Sequence, residues 1–272
     1  MTPVLKKSYK KQYPFRLGTT SFIYADHYLP NIKKLGPFLD EIELLVFESR
    51  DYKKTLTRSI IAELVELSAT LDFSYNIHLP INLFLGDHDP SKRSMAVATF
   101  KNIIDWVAPL NPTTYTLHLE RQFDLDQPAE FKIWKQRTFD SLRRLLDLGV
   151  DSQSLSVETL DYPITWIDKI IRELDLRVCI DMGHLFFHGF DFKQVIDLYL
   201  PLTTIIHLHG VTKNSDHLAL DKLSPKKAAL AAAVLNNFHE TLSLEIFNYE
   251  DLDKSLATLE TWPLKIRNEF AL

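Results

Sequence analysis

The chain has 272 residues, of which 46% are hydrophobic and 25% are charged, and its formal net charge is −5. This length allows one large domain or two small ones, and the acidic balance gives no general attraction to nucleic acid or to an anionic membrane. The single cysteine, Cys179, excludes an internal disulfide and favours a reducing compartment, so we expect a cytoplasmic protein.

The first residues, MTPVLKKSYKKQYPF, are basic, and no long apolar run follows them. They are therefore not typical of a secretory signal, and no segment reaches the length of a transmembrane helix. We interpret residues 1–14 as a short solvated arm and residues 1–272 as a single domain.

Short apolar runs, rich in β-branched and aromatic residues, predict eight strands. Most are apolar on both faces, as in a parallel sheet that helices cover. The runs are RLGTTSF (16–22), DEIELLVFE (40–48), FSYNIHL (73–79), TYTLHL (114–119), SLSVETL (154–160), RVCIDMG (177–183), TIIHLHG (204–210) and LSLEIF (242–247).

Segments with apolar residues at helical spacing predict eight helices between the strands. The first is the weakest, because Gly36 and Pro37 interrupt it. The segments are 31–40, 59–71, 92–110, 129–149, 164–175, 192–200, 224–240 and 249–262.

The strict alternation of strands and helices predicts a parallel α/β fold. Eight such units in a chain of this length favour a closed (β/α)8 TIM barrel. A doubly wound open sheet is the alternative, but no glycine-rich fingerprint follows the first strand.

Polar side chains lie near the ends of six consecutive predicted strands. Catalytic groups of a β/α barrel come from the C-terminal ends of its strands, whereas a lone histidine in an apolar run is more often a satisfied core residue. Because six strands share the feature, we favour a site over the core interpretation. The residues are His78, His118, Glu158, Asp181 with His184, His207 with His209, and Glu245, and the loop after strand 7 adds Asp216 and His217.

These carboxylates and imidazoles have no basic partner in their own strands. Burying charge is costly unless the charge is paired or binds a metal, so we expect a divalent cation. Oxygen and nitrogen ligands without a thiolate suit a transition metal, with zinc or manganese favoured, as one or two ions. Cys179 lies deeper in its strand and is interpreted as a core residue.

The segment CIDMGHLFFHG (179–189) resembles the Cys-Ile-Asp-x-x-His-x-x-x-x-Gly segment of the endonuclease IV type enzymes, which are xylose-isomerase-like TIM barrels. The resemblance covers most of the chain. It implies that a shared metal-ligand set is present, that two further histidines match the phosphodiester-cleaving branch, and that His184 is an additional ligand. The shared set is Glu158, Asp181, His207 and Glu245, and the two further histidines are His78 and His118.

Several short segments (LGTTSFI, DEIELLVFES, IHLP, DMGHLFFHG, and HLHGV followed by DHLAL) resemble the cobamide-remodelling phosphodiesterases. The resemblance implies hydrolysis of the phosphodiester in the cobamide nucleotide loop. It implies catalytic roles for Glu158 as a bridging ligand and for His184, Asp216 and His217 in completing the shell or handling the leaving group. His209, Phe186 and Phe187 are candidate substrate contacts, although the two phenylalanines also suit core packing. The endonucleases have Asp-x-His where this chain has the adjacent pair Asp216-His217, which needs a turn to converge.

Three alternatives remain beside the phosphodiesterase. A sugar isomerase or epimerase would need only the four shared ligands, which leaves His78 and His118 without a role. An apurinic DNA endonuclease would need many Lys and Arg contacts to phosphates, and the chain is net acidic. A non-catalytic metal-binding module is the third. We expect a small-molecule substrate, with no nucleic acid and no membrane as partner.

Overall fold

Eight parallel strands close into a barrel in the computed structural model, which describes residues 3–46, 49–123 and 127–266. Neighbouring strands follow chain order, and β8 pairs with β1 to close the ring. This confirms the TIM barrel and excludes the open sheet. The strands are β1 (Arg16–Thr20), β2 (Glu41–Leu45), β3 (Ser74–His78), β4 (Tyr115–Leu117), β5 (Leu155–Glu158), β6 (Arg177–Asp181), β7 (Thr203–Leu208) and β8 (Thr241–Leu244).

Each strand is shorter than its apolar run predicts, because the paired segment ends where the chain leaves the barrel wall. The strand predicted over 40–48 ends at Leu45, and its last two predicted positions lie outside the described residues.

Helices surround the barrel, and the described residues contain two short ones that periodicity did not predict, α2 and α7. None of the described helices is both long and apolar enough to cross a membrane. The helices are α1 (Tyr28–Leu35), α2 (Tyr52–Thr55), α3 (Arg58–Leu71), α4 (Pro90–Val107), α5 (Pro128–Asp147), α6 (Asp168–Glu173), α7 (Met182–His188), α8 (Phe192–Tyr199), α9 (Pro225–Leu235) and α10 (Tyr249–Glu260).

Local signals set the helix boundaries. Helix α1 begins three residues before its predicted start and ends at Leu35, because Pro37 has no N–H to continue the ladder. The side chain of Thr57 caps α3 by accepting the Ile60 N–H, and Ser224 caps α9 in the same way. The helix predicted over 164–175 begins as a 3-10 turn, Ile164–Ile167, before α6.

One buried carboxylate lies at the N-terminal end of the barrel, opposite the strand ends that carry the candidate site. Glu41 Oε1 accepts hydrogen bonds from Asn76 Nδ2 at 2.8 Å and Thr113 Oγ1 at 2.9 Å. Its Oε2 accepts from Ser74 Oγ at 2.6 Å and Arg16 Nε at 3.1 Å. Both oxygens are therefore satisfied, and this end of the barrel is a closed hydrogen-bonded layer.

The N-terminal segment is not solvated as we expected. Leu5, Tyr9 and Tyr13 are buried. The segment runs along α10, where Val4 O accepts from Tyr249 Oη at 3.0 Å and Lys7 Nζ lies 2.7 Å from the carboxylate of Glu260. Apolar residues spaced four apart among lysines are typical of such a packed strap, and the basic composition hid that pattern.

Replacing Tyr13 with alanine should therefore destabilise the protein. A buried aromatic ring truncated to alanine costs about 3–5 kcal/mol, so urea denaturation should show a loss of that order. The matched control is Lys6→Ala, whose side chain is exposed and whose loss should cost under about 0.5 kcal/mol. If both variants had equal and negligible effects on the free energy of unfolding, the segment would be a solvated arm after all.

Candidate metal centre

The C-terminal ends of β3 to β8 place their polar side chains around one mouth. His78, Glu158 and Asp181 are the last residues of their strands, and His207 is the penultimate residue of β7. His118 and Glu245 come one residue after β4 and β8. The strand order of the barrel therefore brings together residues that are up to 167 positions apart in the chain.

Glu158 is the centre of this arrangement. Its Oε2 lies 2.9 Å from His118 Nε2, 3.3 Å from His78 Nε2 and 3.6 Å from His207 Nδ1. Its Oε1 lies 3.5 Å from His184 Nδ1. The side chain is 1% exposed, so its charge must be balanced by these neighbours rather than by water.

Among the described residues, four clusters of potential ligands have ligand atoms within 4.8 Å of one another, and the three without a cysteine are linked by shared residues. Glu158 belongs to the first two, and Asp181 belongs to the last two. They are the two-histidine cluster (His78, His118, Glu158), the four-residue cluster (Glu158, Asp181, His207, Glu245) and the three-histidine cluster (Asp181, His184, His209, His217).

The four-residue cluster fits a cation, because every member carries a buried polar atom without a hydrogen-bond partner. These atoms are Glu158 Oε1, Asp181 Oδ2, His207 Nδ1 and Glu245 Oε2. A buried polar atom left unsatisfied costs about 1–3 kcal/mol, and more if the group is charged. The contrast with the fully satisfied Glu41 is direct. A divalent ion is the partner that would satisfy three carboxylates and an imidazole together.

Both histidines of the two-histidine cluster have an oxygen atom close to Nδ1, the nitrogen that faces away from Glu158. His78 Nδ1 lies 3.0 Å from the carbonyl oxygen of Leu79, and His118 Nδ1 lies 3.0 Å from Glu120 Oε1. Metal-binding histidines usually donate the distant N–H to such an acceptor, which fixes the tautomer and leaves the other nitrogen as the ligand. Both Nε2 atoms accordingly face Glu158.

Glu43 of β2 is a functional residue that the sequence analysis missed. Its Oε1 lies 3.0 Å from His207 Nε2, and its Oε2 accepts a hydrogen bond from Ser243 Oγ at 2.6 Å. Glu43 thus places a carboxylate beside Nε2 of His207, without a hydrogen bond between them, while Nδ1 of the same ring faces Glu158 and Glu245. The sequence did contain a signal for this residue. Glu43 stands two positions after Glu41 in an otherwise apolar strand, and alternate residues of a strand share one face.

Cys179 lies within reach of Glu158 and His207 but is not among the ligands that we favour. Burial raises the pKa of its thiol well above the usual range. The thiolate, which is the metal-binding form, is therefore disfavoured.

The carboxylates control the charge of the histidines. Burial alone would lower the pKa of His118, but the nearby Glu158 and Glu120 outweigh it and raise that pKa to about 10. At His217, burial again lowers the pKa, but Glu245 and Asp181 outweigh it and raise the pKa to about 9. At His118 a proton therefore occupies the lone pair for which a metal ion in the two-histidine cluster would compete.

The loop after β7 brings His217, but not Asp216, into the three-histidine cluster. Residues Gly210 and Leu218 form an antiparallel bridge, and His217 adopts a left-handed φ of +51° at the turn. Its Nε2 lies 3.3 Å from Glu245 Oε2, and its Nδ1 lies 3.2 Å from Asp216 Oδ1. Asp216 thus stands behind His217, and the adjacent pair does not converge on one point.

The candidate substrate contacts lie elsewhere than the sequence suggested. Phe186 is buried and stacks on Phe192, with ring centroids 5.0 Å apart. Phe187 packs its ring edge against His188. His209 is completely buried inside the three-histidine cluster. None of the three candidates lines the mouth, because α7 turns the phenylalanines away from it.

The mouth itself is a cavity of about 220 Å³ with two unlike walls. One wall consists of ligand residues, including Glu158, His184 and His217. The other wall is apolar, and Ile81 and Phe247 at its rim are 47% and 40% exposed. The apolar lining residues are Leu45, Val46, Leu79, Ile81 and Phe247.

Comparison with known families agrees with this geometry. A family model described as xylose isomerase-like TIM barrel matches residues 29–264. The chain belongs to that family. No curated protein sequence matches the chain significantly.

Solved structures share the xylose isomerase-like fold at low sequence identity. A D-tagatose 3-epimerase-like protein is 16% identical, with 91% of this chain and 96% of that chain covered and a TM-score of 0.74. Endonuclease IV from Thermus thermophilus is 17% identical over 91% and 98% of the chains, with a TM-score of 0.69. An IolI protein with a bound zinc atom is 14% identical over 90% and 95%, with a TM-score of 0.69. At these identities the likeness shows the fold alone.

Zinc should stabilise this xylose isomerase-like protein through Asp181. An ion present at 100 times its Kd adds about 2.7 kcal/mol, which raises Tm by roughly 5–10 °C in a domain of this size. Asp181→Ala should lose more than half of that zinc-dependent rise. Asp216→Ala is the control and should keep most of it, because Asp216 contacts His217 rather than the cluster. Calorimetry with and without zinc checks both, and equal losses would contradict the assignment.

Zinc binding should also release protons. With its pKa at about 10, the imidazole of His118 carries a second proton at neutral pH, on the lone pair that a metal ion in the two-histidine cluster would need. The apparent zinc affinity should therefore strengthen as the pH rises to about 9. Titration calorimetry in buffers of different ionisation enthalpy counts the protons, and His118→Ala should release one fewer. An affinity that does not change with pH would mean that the histidines are already neutral.

Proposed function

We propose that this chain is a metal-dependent phosphodiesterase that hydrolyses the phosphodiester in the nucleotide loop of cobamides. The observation that carries the proposal is that Glu158 belongs to both the two-histidine cluster and the four-residue cluster. A carboxylate has two oxygens and can bridge two ions. Phosphodiester cleavage gains from two adjacent positive charges, because negative charge develops on both the attacking and the leaving oxygen.

The residues that would hold the ions are those of the first two clusters, and zinc or manganese suits their nitrogen and oxygen donors. When bound, such ions stabilise negative charge on a phosphoryl group and make water more acidic. Glu158 would hold the two positions at a fixed separation. Glu43 and Glu120 would keep His207 and His118 turned inwards.

His217 is suited to the leaving group. It lines the cavity, and Glu245 and Asp181 hold its pKa near 9, so that it carries a proton at neutral pH. In this proposal water attacks the phosphorus and releases one proton to solvent, the bond to the leaving oxygen breaks, and His217 gives that oxygen its Nε2 proton. Solvent then returns a proton to His217. Asp216, 3.2 Å from Nδ1, orients the imidazole. His184 completes the shell beside Asp181.

The apolar wall supports a substrate with a large apolar face. A sugar would need hydrogen-bond partners for its hydroxyls, yet among the described residues lining the cavity only the clusters' own histidines and carboxylates are polar. The volume of about 220 Å³ is below the roughly 300–1,000 Å³ of a drug-sized pocket. A cobamide would therefore insert only its phosphodiester, and its ring system would lie on the exposed Ile81 and Phe247.

A sugar isomerase or epimerase is the second candidate, because the four-residue cluster alone would provide its single metal site. That function leaves the placement of His78 and His118 against Glu158 unexplained. An apurinic endonuclease is less favoured, since the net charge of −5 opposes binding to DNA.

The direct experiment is incubation of the zinc-loaded or manganese-loaded protein with adenosylcobalamin, followed by mass analysis. Two products are expected, a cobinamide fragment and the complementary lower-ligand fragment. Their summed mass should exceed that of the substrate by one water molecule. An unchanged substrate under both metals would contradict the proposal.

The double variant His78→Ala/His118→Ala tests the role of the two-histidine cluster. It should bind less metal and lose cobamide cleavage by at least about 100-fold, since a metal ligand set is removed. The control is His88→Ala/His239→Ala, which removes two exposed histidines and should cleave normally. Both proteins are also assayed on a panel of ketoses. Full cleavage by the first variant, or ketose epimerisation by the parent, would sink the phosphodiesterase.

A further inference from the structure

His209 follows β7 and connects three parts of the metal centre. Its side chain is completely buried. Its ring stacks on that of His217, with centroids 4.1 Å apart and an interplanar angle of 16°. Its Nε2 lies 3.3 Å from Asp181 Oδ1. A histidine in these surroundings is either a metal ligand or a group that positions the ligands.

The two nitrogens of His209 distinguish these roles. The backbone N–H of His217 points at His209 Nδ1 from 2.9 Å, and a backbone amide can only donate. Nδ1 must therefore carry a lone pair. The carbonyl oxygen of Gly210 is more distant, at 3.3 Å, and belongs to the adjacent residue. A neutral imidazole with a lone pair on Nδ1 has its proton on Nε2, and a protonated nitrogen cannot bind a metal.

We infer that His209 is a positioning residue and not a metal ligand. Its Nε2 lies 3.3 Å from Asp181 Oδ1 without a hydrogen bond between them, and Asp181 Oδ1 accepts the backbone N–H of His184 at 2.8 Å. Asp181 is thereby fixed with its unsatisfied Oδ2 directed to the cluster. The Nδ1 of His209 holds the backbone of His217 and so fixes the loop that carries that side chain. The inference rests on the proposed metal centre but not on the cobamide substrate.

Gly183, in the first turn of α7, packs closely against the ring of His209. A Cβ atom at Gly183 would lie 2.2 Å from His209 Cε1 and 2.3 Å from Nε2. Only glycine therefore lets α7 approach the imidazole closely enough for Asp181 to cap the helix and contact His209 at once. Because a side chain at this position would clash with the imidazole, glycine stands there despite its poor helix propensity.

The tautomer is directly measurable. The protein labelled with ¹⁵N-histidine is studied by NMR, first without metal and then loaded with zinc. We expect the Nε2 of His209 in the protonated range and its Nδ1 in the range of a nitrogen with a lone pair, in both states. A His209 Nε2 resonance that moves to the metal-bound range on zinc loading would overturn the inference.

Metal counting provides a second, independent readout. His209→Gln keeps a donor and an acceptor and should bind the same number of zinc ions as the parent, about 10- to 100-fold more weakly. The matched variant His78→Ala removes an imidazole of the two-histidine cluster, which we assign as a ligand, and should lower the number of bound ions. Loss of one ion by His209→Gln would show that His209 is a ligand.

Gly183→Ala then tests the contact between α7 and the ring. It should weaken zinc binding in the parent, because the new methyl group displaces His209. In a His209→Ala background the same change should weaken zinc binding only slightly, since the methyl group then has room. Equal costs in both backgrounds would overturn the placement on which the inference depends. All three readouts use zinc alone, so a failure of cobamide cleavage leaves them unaffected.

Discussion

The structure depends on the cost of burying negative charge at one end of a barrel. Glu158, Asp181 and Glu245 are almost completely buried, and none of them has a Lys or Arg within ion-pair distance among the described contacts. Histidines are their only charged partners, and these become cationic only by keeping protons that their usual pKa would release. The apolar core is stable enough to keep these carboxylates and protonated histidines buried together. The same cluster of buried charges favours the binding of a divalent ion, which would replace the protons.

The two ends of the barrel show how the same residue type serves opposite purposes. Glu41 accepts hydrogen bonds from four donors, on β1, on β3 and on the residue Thr113 shortly before β4, and so contributes to a rigid layer. Glu158 lies at the other end, where its neighbours are themselves potential ligands. A buried carboxylate whose lone pairs are all used stabilises a fold. One that keeps an oxygen without a partner, as Glu158 does at Oε1, can bind a further group such as a metal ion.

The strands, most helices and most of the clustered residues could be predicted from the sequence, because each depends on a local pattern: an apolar run, a helical period, or a polar residue at the end of a run. Glu43 could not be assigned a role, because its partner His207 lies 164 positions away and only barrel closure brings them together. The positions of Phe186 and Asp216 depend on the turns of α7 and of the β7 loop. The basic arm misled for another reason, since composition hid three buried side chains.

The strap that the N-terminal segment forms along α10 has a consequence for biosynthesis. Val4 meets Tyr249, so this segment waits for the synthesis of 245 further residues before it can pack. At about 5–20 residues per second, that interval is roughly 10–50 s. Throughout it, Leu5, Tyr9 and Tyr13 have no final packing site, and the seam between β1 and β8 stays open. Nascent chains of this protein should therefore be clients of chaperones that bind short apolar segments, and release of the segment around Leu5, Tyr9 and Tyr13 should coincide with completion of α10.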